Sequence, residues 1–191
     1  MKAAFLDRDG IINRDSGYVH RIEDVHFLPG IFELCAALRG AGYRLMVVTN
    51  QAGIARGIYT LEQMHTLHAW MREQFGLRGA PLAAVYFCPH HPQGVVPEFT
   101  RVCECRKPKP GMLLKARDEH GVDLAASLLL GNQETDIGAG IAAGVGTTVL
   151  YAEGMPPTTR ATLVVRTLEE LPGRIGIGST GIGSPAGVGR P

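Results

Sequence analysis

Short apolar runs alternate with helix-forming segments along most of this chain, and this alternation limits the folds open to it. Runs such as Ala3–Leu6 and Leu128–Leu130 have the length and composition of buried strands. Strands are predicted at 3–7, 43–49, 82–88, 127–131 and 147–151, with 162–166 as a candidate sixth. Helices are predicted between them, at 30–40, 60–76, 110–120 and 136–143. Strand–helix alternation predicts an α/β fold with a doubly wound, Rossmann-like parallel sheet and right-handed crossovers.

The first two predicted helices carry clear helix signals. In the first, one apolar stripe is formed at helical spacing by Ile31, Leu34, Cys35 and Leu38. The second begins with a capping box, Thr60-x-x-Gln63. It continues with a second apolar stripe at Met64, Leu67, Met71 and Phe75. Both stripes are predicted to be core rather than binding surface.

Length and composition predict one domain with a full core. The 191 residues are 45% hydrophobic and 19% charged, and a net charge of +1 leaves no broad basic field for nucleic acid or an acidic membrane.

No apolar run approaches the ~20 residues that span a bilayer, and no signal peptide precedes the first strand, so a cytoplasmic protein is expected. A monomer is also expected. Residues 1–172 should form the domain, with 173–191 as a Gly-rich flexible tail.

The carboxyl ends of the predicted strands are rich in reactive side chains, at the edge where open α/β sheets bind ligands. Asp7-Arg8-Asp9-Gly10 follows the first strand, Thr49-Asn50-Gln51 ends the second, and Asn132 begins a polar loop after the fourth. One carboxylate of an Asp-x-Asp pair can attack phosphorus while the other moves a proton. An isolated Asp-x-Asp would be an ordinary polar turn, but the polar groups on the other strands favour a catalytic site.

A second cluster has the composition of a metal site. Three of the four cysteines lie in one loop, and with a histidine they form the set Cys88, His90, Cys103 and Cys105. Three sulfurs and one nitrogen make a closed tetrahedral set suited to a structural Zn²⁺ that pins the loop at its base. The Cys-x-His spacing favours His90 over the adjacent His91. The alternative is a set of reduced residues without metal. Cys35 stands apart and is predicted to be a small core residue.

In their order along the chain, these elements resemble the haloacid dehalogenase-like phosphatases, and the Cys/His set narrows the resemblance to their heptose 1,7-bisphosphate 7-phosphatase family. The resemblance covers residues 1 to about 151. It implies a Mg²⁺-dependent hydrolase of lipopolysaccharide-related carbohydrate metabolism that acts on a small phosphorylated sugar. Asp7 would be the nucleophile that carries an aspartyl-phosphate, and Asp9 the general acid and base. Mg²⁺ would be held by Asp7, Asp9 and Asn132, with Asp136 as a candidate further ligand.

The same resemblance implies the substrate-binding residues: Asp15, Ser16, Gly17, Tyr18, Thr49, Asn50, Gln51, Arg106 and Lys107. Thr49 and Lys107 would bind the transferred phosphate. The alternative for Thr49 is a strand-end hydroxyl that bonds to the backbone, and the alternative for Lys107 is a solvated surface lysine. Arg106 has the planar fork for a second phosphate, although a structural ion pair is the alternative. No large cap domain fits into this length, so the loop at 10–28 and the Cys-rich loop are expected to enclose the substrate.

Two alternatives to a heptose bisphosphate phosphatase stay open. Histidinol-phosphate phosphatases share the Asp-x-Asp and a zinc loop, but the 12 residues between His90 and Cys103 favour the sugar substrate. A catalytically weakened phosphate-binding protein is the other, because Asn132 stands where the family usually has Asp, and Gln133 where relatives often have Lys. The anomer of the substrate, and the physiological substrate itself, cannot be predicted from the sequence.

Overall fold

Six parallel strands form a single sheet in the order β3-β2-β1-β4-β5-β6. The computed structural model describes residues 1–154 and 158–177. The strands are β1 (Ala3–Leu6), β2 (Arg44–Asn50), β3 (Leu82–Cys88), β4 (Leu128–Gly131), β5 (Thr147–Tyr151) and β6 (Leu163–Val165). The prediction of a doubly wound parallel sheet is confirmed, including the candidate sixth strand. The chain direction across the sheet reverses at β1, so the loops after β1 and β4 flank the crevice where such folds bind ligands.

In the described residues, the two faces of the sheet are covered by five α-helices: α1 (Ile31–Gly40), α2 (Leu61–Leu77), α3 (Gly111–His120), α4 (Glu134–Ala143) and α5 (Glu170–Arg174). One apolar cluster joins α1, α2 and α5 to the sheet through residues such as Leu34, Phe75 and Leu171. A second cluster, which includes Met112 and Ala139, joins α3 and α4 to the opposite face. Helices on both faces explain why the strands are almost continuously apolar.

The helix signals act as predicted. All four residues of the α1 stripe and all four of the α2 stripe are buried. Thr60 and Gln63 form the reciprocal capping box, with hydrogen bonds of 2.8 and 3.1 Å. Helix α4 begins at Glu134, two residues earlier than predicted, because Gln133 and Asp136 form a second reciprocal cap at its start.

Packed structure continues past residue 172 in the described part of the chain. Helix α5 was not predicted, and it contains Gly173, the first residue of the expected tail. Ile175 and Ile177 then pack against the core cluster that includes Leu171. Residues 173–177 of the expected tail therefore pack onto the domain, because their apolar side chains find a surface to cover. The rest of the predicted tail, 178–191, lies outside the described residues.

Loops at the carboxyl edge of the sheet take the place of a large cap. The loop after β1 contains a short 3-10 helix, Ile22–Asp24, and the loop between β3 and α3 contains another, Pro97–Phe99. Val19 of the first loop is buried in a small apolar cluster with Ile54 and Met64, which fixes this loop against α2. In the described part of the chain, no helix has both the length and the apolar character needed to cross a bilayer.

Candidate functional site

A buried lysine joins two carboxylates at the floor of the crevice. Lys107 Nζ lies 2.9 Å from Asp7 Oδ1 and 2.6 Å from Asp136 Oδ1. Its third donor bonds the backbone oxygen of Val48 at 2.8 Å. Lys107 is only 4% exposed, so the solvated-lysine alternative does not describe it. All three ammonium donors are satisfied, and the cation has a fixed position beside Asp7.

The electrostatics of this group are set by burial and by mutual contact. Burial raises the pKa of Asp7 to about 7, with Asp136 and Asp9 adding to the increase and Lys107 opposing it. Burial acts to lower the pKa of Lys107, but the carboxylates of Asp7 and Asp136 hold it above its ordinary value. Lys107 therefore stays charged. A positive charge next to Asp7, such as that of Lys107, favours the ionised form of its carboxyl group.

The carboxylate of Asp9 is held by four side-chain nitrogens. Arg8 donates from Nε and Nη2, at 3.1 and 2.9 Å, and Nη2 also reaches the second carboxylate oxygen at 2.9 Å. Asn13 Nδ2 donates at 3.0 Å and Gln51 Nε2 at 3.1 Å. Arg8 and Asn13 were not identified from the sequence. The only available signal was the position of Arg8 between the two aspartates.

Gln51 links Asp9 to the hydroxyl at the end of β2. Its Nε2 donates to Thr49 Oγ1 at 2.9 Å, and its Oε1 accepts from Tyr59 OH at 2.5 Å. Thr49 is almost fully buried, and both Thr49 and Gln51 line the crevice. The side chain of Gln51 therefore orients two neighbouring groups as well as facing the crevice.

Asn50 has a different position from the one expected of a substrate ligand alone. Its Oδ1 accepts from the Lys107 backbone N–H at 3.0 Å, and its Nδ2 donates to the Lys107 backbone oxygen at 3.1 Å. These two hydrogen bonds fix the backbone that carries Lys107. Asn50 also lines the crevice.

The crevice encloses a cavity of about 240 Å³. Most of the predicted site residues line it: Asp7, Asp9, Asp15, Gly17, Tyr18, Thr49, Asn50, Gln51, Lys107 and Asp136. Three predicted residues, Ser16, Arg106 and Asn132, lie outside this lining. Ser16 is exposed on its loop. Arg106 is directed toward the Cys-rich loop, where its Nη1 donates to the backbone oxygen of His90 at 3.5 Å.

Tyr18 stands at the mouth of this cavity. It is 42% exposed and has a positive φ of 52°. Arg56 donates from Nη1 to its hydroxyl at 2.8 Å, and the guanidinium carbon lies 5.9 Å from the ring centre. Sequence reasoning did not identify Arg56. Together the two side chains form a polar, cationic rim.

Asn132 lies beside Gly10, and both residues line a neighbouring hollow of about 870 Å³. Its Oδ1 is buried and has no hydrogen-bond partner among the described residues. A buried amide oxygen without a partner is costly, so it points to a group that binds there. Amide and carboxylate oxygens suit Mg²⁺. Both oxygens of Asp136 are already used, by Lys107 and by the Gln133 N–H, which favours an indirect role for Asp136.

The four predicted Cys and His ligands come together as one cluster. Their ligand atoms, three sulfurs and one ring nitrogen, all lie within 4.8 Å of one another. The sulfurs of Cys88, Cys103 and Cys105 are 3.2–3.5 Å apart. These spacings approach the ~3.8 Å expected between thiolates on one tetrahedral Zn²⁺. His91, the alternative ligand, is not part of the cluster, and the cluster could hold a metal ion.

Comparisons with known proteins agree with this geometry. The HAD-hydrolase-like family model matches residues 104–171. A crystal structure of D,D-heptose 1,7-bisphosphate phosphatase from B. bronchiseptica, complexed with magnesium and phosphate, is 30% identical. It superposes with a TM-score of 0.77 and covers 92% of this chain and 98% of that one.

Curated relatives are closer in sequence. The D-glycero-beta-D-manno-heptose-1,7-bisphosphate 7-phosphatase of Yersinia pestis is 48% identical over 174 residues, which cover 89% of this chain and 93% of the relative. The D-glycero-alpha-D-manno-heptose-1,7-bisphosphate 7-phosphatase of Burkholderia mallei is 50% identical over 167 residues, with 86% and 88% covered. At this identity, over nearly the full length of each relative, the chain belongs to the heptose 1,7-bisphosphate 7-phosphatase family of haloacid dehalogenase-like hydrolases.

Proposed function

We propose that this enzyme hydrolyses the 7-phosphate of D-glycero-D-manno-heptose 1,7-bisphosphate through an aspartyl-phosphate on Asp7. The observation that carries the proposal is the contact of Asp7 with the buried Lys107 at the floor of a polar cavity. A carboxylate beside a fixed cation can approach a phosphate dianion that it would otherwise repel. The names of the relatives support the substrate.

The reaction has two steps, and both use groups already in place. In the reacting state Asp9 carries a proton. Asp7 attacks phosphorus and the bond to the sugar oxygen breaks, while Asp9 gives that proton to the leaving oxygen. Water then attacks the aspartyl-phosphate, Asp9 takes a proton from it, and Asp7 and inorganic phosphate are released. Lys107 balances charge on the transferred group in both steps, and the Thr49 hydroxyl donates to one of its oxygens.

Mg²⁺ fits the oxygen ligands that the site offers. We propose Asp7, the Asp9 backbone carbonyl and the unpartnered Asn132 Oδ1 as its ligands. When bound, the ion would neutralise part of the charge on Asp7 and on the phosphate. Burial raises the pKa of Asp7 and so disfavours its charged form, and a bound cation would favour the carboxylate instead.

The sugar and the second phosphate would lie toward the mouth of the cavity. A cavity of about 240 Å³ accepts the reacting phosphate and the adjoining carbons, so the rest of the substrate must reach the rim. Tyr18 stands at that rim, and we keep Arg106 as a ligand for the second phosphate, although it must turn away from the His90 oxygen to reach it. The loop residues Asp15, Ser16 and Gly17 complete this side.

We further propose that the Cys/His cluster holds a structural Zn²⁺. All four ligands come from the protein, so no position is left open for chemistry. The ion would fix the start of the segment that carries Arg106 and Lys107, which follows Cys105 directly. We propose that the enzyme acts in the cytoplasm, in lipopolysaccharide-related heptose metabolism, as a monomer.

Phosphate release from a substrate panel tests the proposal. The panel contains both anomers of heptose 1,7-bisphosphate, fructose 1,6-bisphosphate and histidinol phosphate, each with Mg²⁺. The highest kcat/KM is expected for one heptose anomer, and the preferred anomer assigns the chain to one of the two groups of relatives. A preference for histidinol phosphate would replace the proposed substrate. Phosphate binding without turnover of any panel member would favour the weakened binding protein.

A further inference from the structure

The side chain of Arg8 is wholly inside the protein, where arginine is rare unless it is paired. It extends from the end of β1 toward α2. Its Nη1 lies 3.1 Å from Met64 Sδ and 3.4 Å from His68 Nε2, both on α2. Burial lowers the pKa of His68 to about 3, and the charge of Arg8 acts in the same direction, so the neutral ring can accept a hydrogen bond from Arg8.

The positive charge of Arg8 is balanced by Asp9. Among the described residues, Asp9 is the only carboxylate that forms an ion pair with Arg8. The contact is a planar fork that reaches both carboxylate oxygens, at 2.9–3.1 Å. Such a fork fixes the rotation of the carboxylate as well as its position. Asp9 keeps partial exposure to the cavity, so the held carboxylate still faces the reacting groups.

The same guanidinium also holds the loop that follows β1. Arg8 Nη2 donates to the Val19 backbone oxygen at 2.7 Å. Val19 is buried, while Gly17 and Tyr18, just before it, line the cavity. One nitrogen therefore sets the distance between the carboxylate of Asp9 and the loop at the mouth of the cavity.

We propose that Arg8 is a positioning residue that aims the Asp9 carboxylate at the leaving sugar oxygen and fixes it relative to the Gly17–Val19 loop. The inference rests on the proposed function. A sugar oxygen leaves as a strongly basic alkoxide unless it receives a proton, whereas nitrophenolate leaves without one. Misplacement of Asp9 must therefore slow sugar phosphates far more than p-nitrophenyl phosphate. A residue that only stabilises the fold would slow both alike.

The test compares kcat/KM for heptose 1,7-bisphosphate and p-nitrophenyl phosphate in wild type and Arg8→Lys. For this two-step reaction kcat/KM reports on the first step alone, so slow release of phosphate from Asp7 does not obscure the comparison. Arg8→Lys keeps the charge but loses the fork, and we expect a loss of about hundredfold on the sugar substrate. The loss on p-nitrophenyl phosphate should stay below about fivefold, because that leaving group needs no proton. In an Asp9→Asn background, the loss that Arg8→Lys causes on the sugar should fall to the same few-fold loss seen with p-nitrophenyl phosphate.

Met64→Leu is the matched control, because it changes the packing beside Arg8 without touching Asp9. It should leave the ratio of the two kcat/KM values unchanged. Equal losses of Arg8→Lys on both substrates, or additive losses with Asp9→Asn, would overturn the proposal. If Arg8→Lys does not fold, Arg8→Gln replaces it, and failure of both to fold would assign Arg8 to the fold alone.

Failure of the substrate assignment gives a different result. Wild type would then leave both heptose anomers intact while hydrolysing another alkyl phosphate of the panel. The Arg8 comparison would be made on that alkyl phosphate, with the same expected ratio.

Discussion

The side-chain amide of Asn50 forms hydrogen bonds with both the backbone N–H and the backbone oxygen of Lys107. The Asn50 amide accepts from the Lys107 N–H at 3.0 Å and donates to the Lys107 oxygen at 3.1 Å. The two residues are 57 positions apart, and the contact joins the end of β2 to the loop before α3. The cation that contacts Asp7 therefore depends on a neighbouring strand for its place.

Replacement of Asn50 by Ala should impair the chemical step. Both hydrogen bonds disappear, and a shift of Lys107 by about 1 Å can cost on the order of a hundredfold in kcat. The free energy of unfolding should fall by about 1–2 kcal/mol, since two partly buried hydrogen bonds are lost. Steady-state kinetics and thermal unfolding measure the two effects. Lys109→Ala is the control, because Lys109 pairs with Glu104 at the surface and should leave kcat unchanged. A normal kcat in Asn50→Ala would refute this role.

Asp7→Asn should abolish turnover and keep the fold. The amide preserves the shape of the side chain but is not a nucleophile. Asp7 lies close to the buried carboxylate of Asp136, so loss of its charge removes a repulsion as well as the pair with Lys107. We therefore expect a change in Tm of only a few degrees, and no labelled aspartyl-phosphate after acid quench with radioactive substrate. Substantial phosphate release by the purified variant would contradict the covalent mechanism.

Most of the sheet could be predicted from the sequence because its strands are covered by helices on both faces. Such strands are short continuous apolar runs, and all six were found in this way. Helix α5 was missed because it is five residues long and includes Pro172 and Gly173. Its stability depends on packing of Leu171 and on contacts that no local pattern reveals.

Cavity residues such as Lys107 were expected from the family resemblance, and others from their positions at strand ends. Asp7 and Thr49 were found there, since the carboxyl ends of parallel strands converge. The buried position of Arg8 could not be predicted from the sequence. Arginine is usually exposed, and the partners Val19 and Met64 are not neighbours of Arg8 in sequence. Arg106 was expected beside the substrate, and its direction toward His90 depends on how the Cys-rich loop folds.

Loss of a cluster ligand should remove metal before it affects chemistry. Cys103→Ser takes one thiolate from a closed set, and metal binding energy is also folding energy. We expect zinc well below one ion per chain, and a free energy of unfolding lower by at least about 2 kcal/mol, which is 4–8 °C in Tm. Elemental analysis and calorimetry measure both. Cys35→Ala is the control: this core thiol lies outside the cluster, so the variant should lose stability but keep its zinc. Wild type without zinc after chelator-free, reducing purification would refute the zinc assignment.

Gly10 should be required for the position of Asn132. It has φ of +85°, and a Cβ added there would overlap the amide of Asn132. Gly10→Ala should therefore strain the backbone and displace the proposed Mg²⁺ ligand, which raises the Mg²⁺ concentration for half-maximal activity. Gly121→Ala is matched for backbone strain, with φ of +63°, but opens into free space. It should lose stability and keep its Mg²⁺ dependence. The same Mg²⁺ dependence in both variants would show that Gly10 is not required for Mg²⁺ binding.

Asn132→Asp should lower the Mg²⁺ requirement. The buried Oδ1 of Asn132 lacks a partner among the described residues, so its oxygen is free to bind a cation, but as a neutral ligand. Aspartate would supply a full negative charge at coordination distance, where attraction is strong. We expect the Mg²⁺ concentration for half-maximal activity to fall on the order of tenfold, about 1.4 kcal/mol of binding.

Gln133→Glu distinguishes ligation from a general effect of charge, because it adds the same charge one residue away. Its effect on the Mg²⁺ requirement should be clearly smaller, although Gln133 also lines the cavity. If Asn132→Asp leaves the Mg²⁺ dependence unchanged, Asn132 is not a ligand and its buried oxygen has another purpose. If wild type is inert on all substrates at every Mg²⁺ concentration and Asn132→Asp restores turnover, the natural protein is a weakened phosphate binder. An active wild type with a high Mg²⁺ requirement that the substitution lowers would establish Asn132 as a working but weaker ligand.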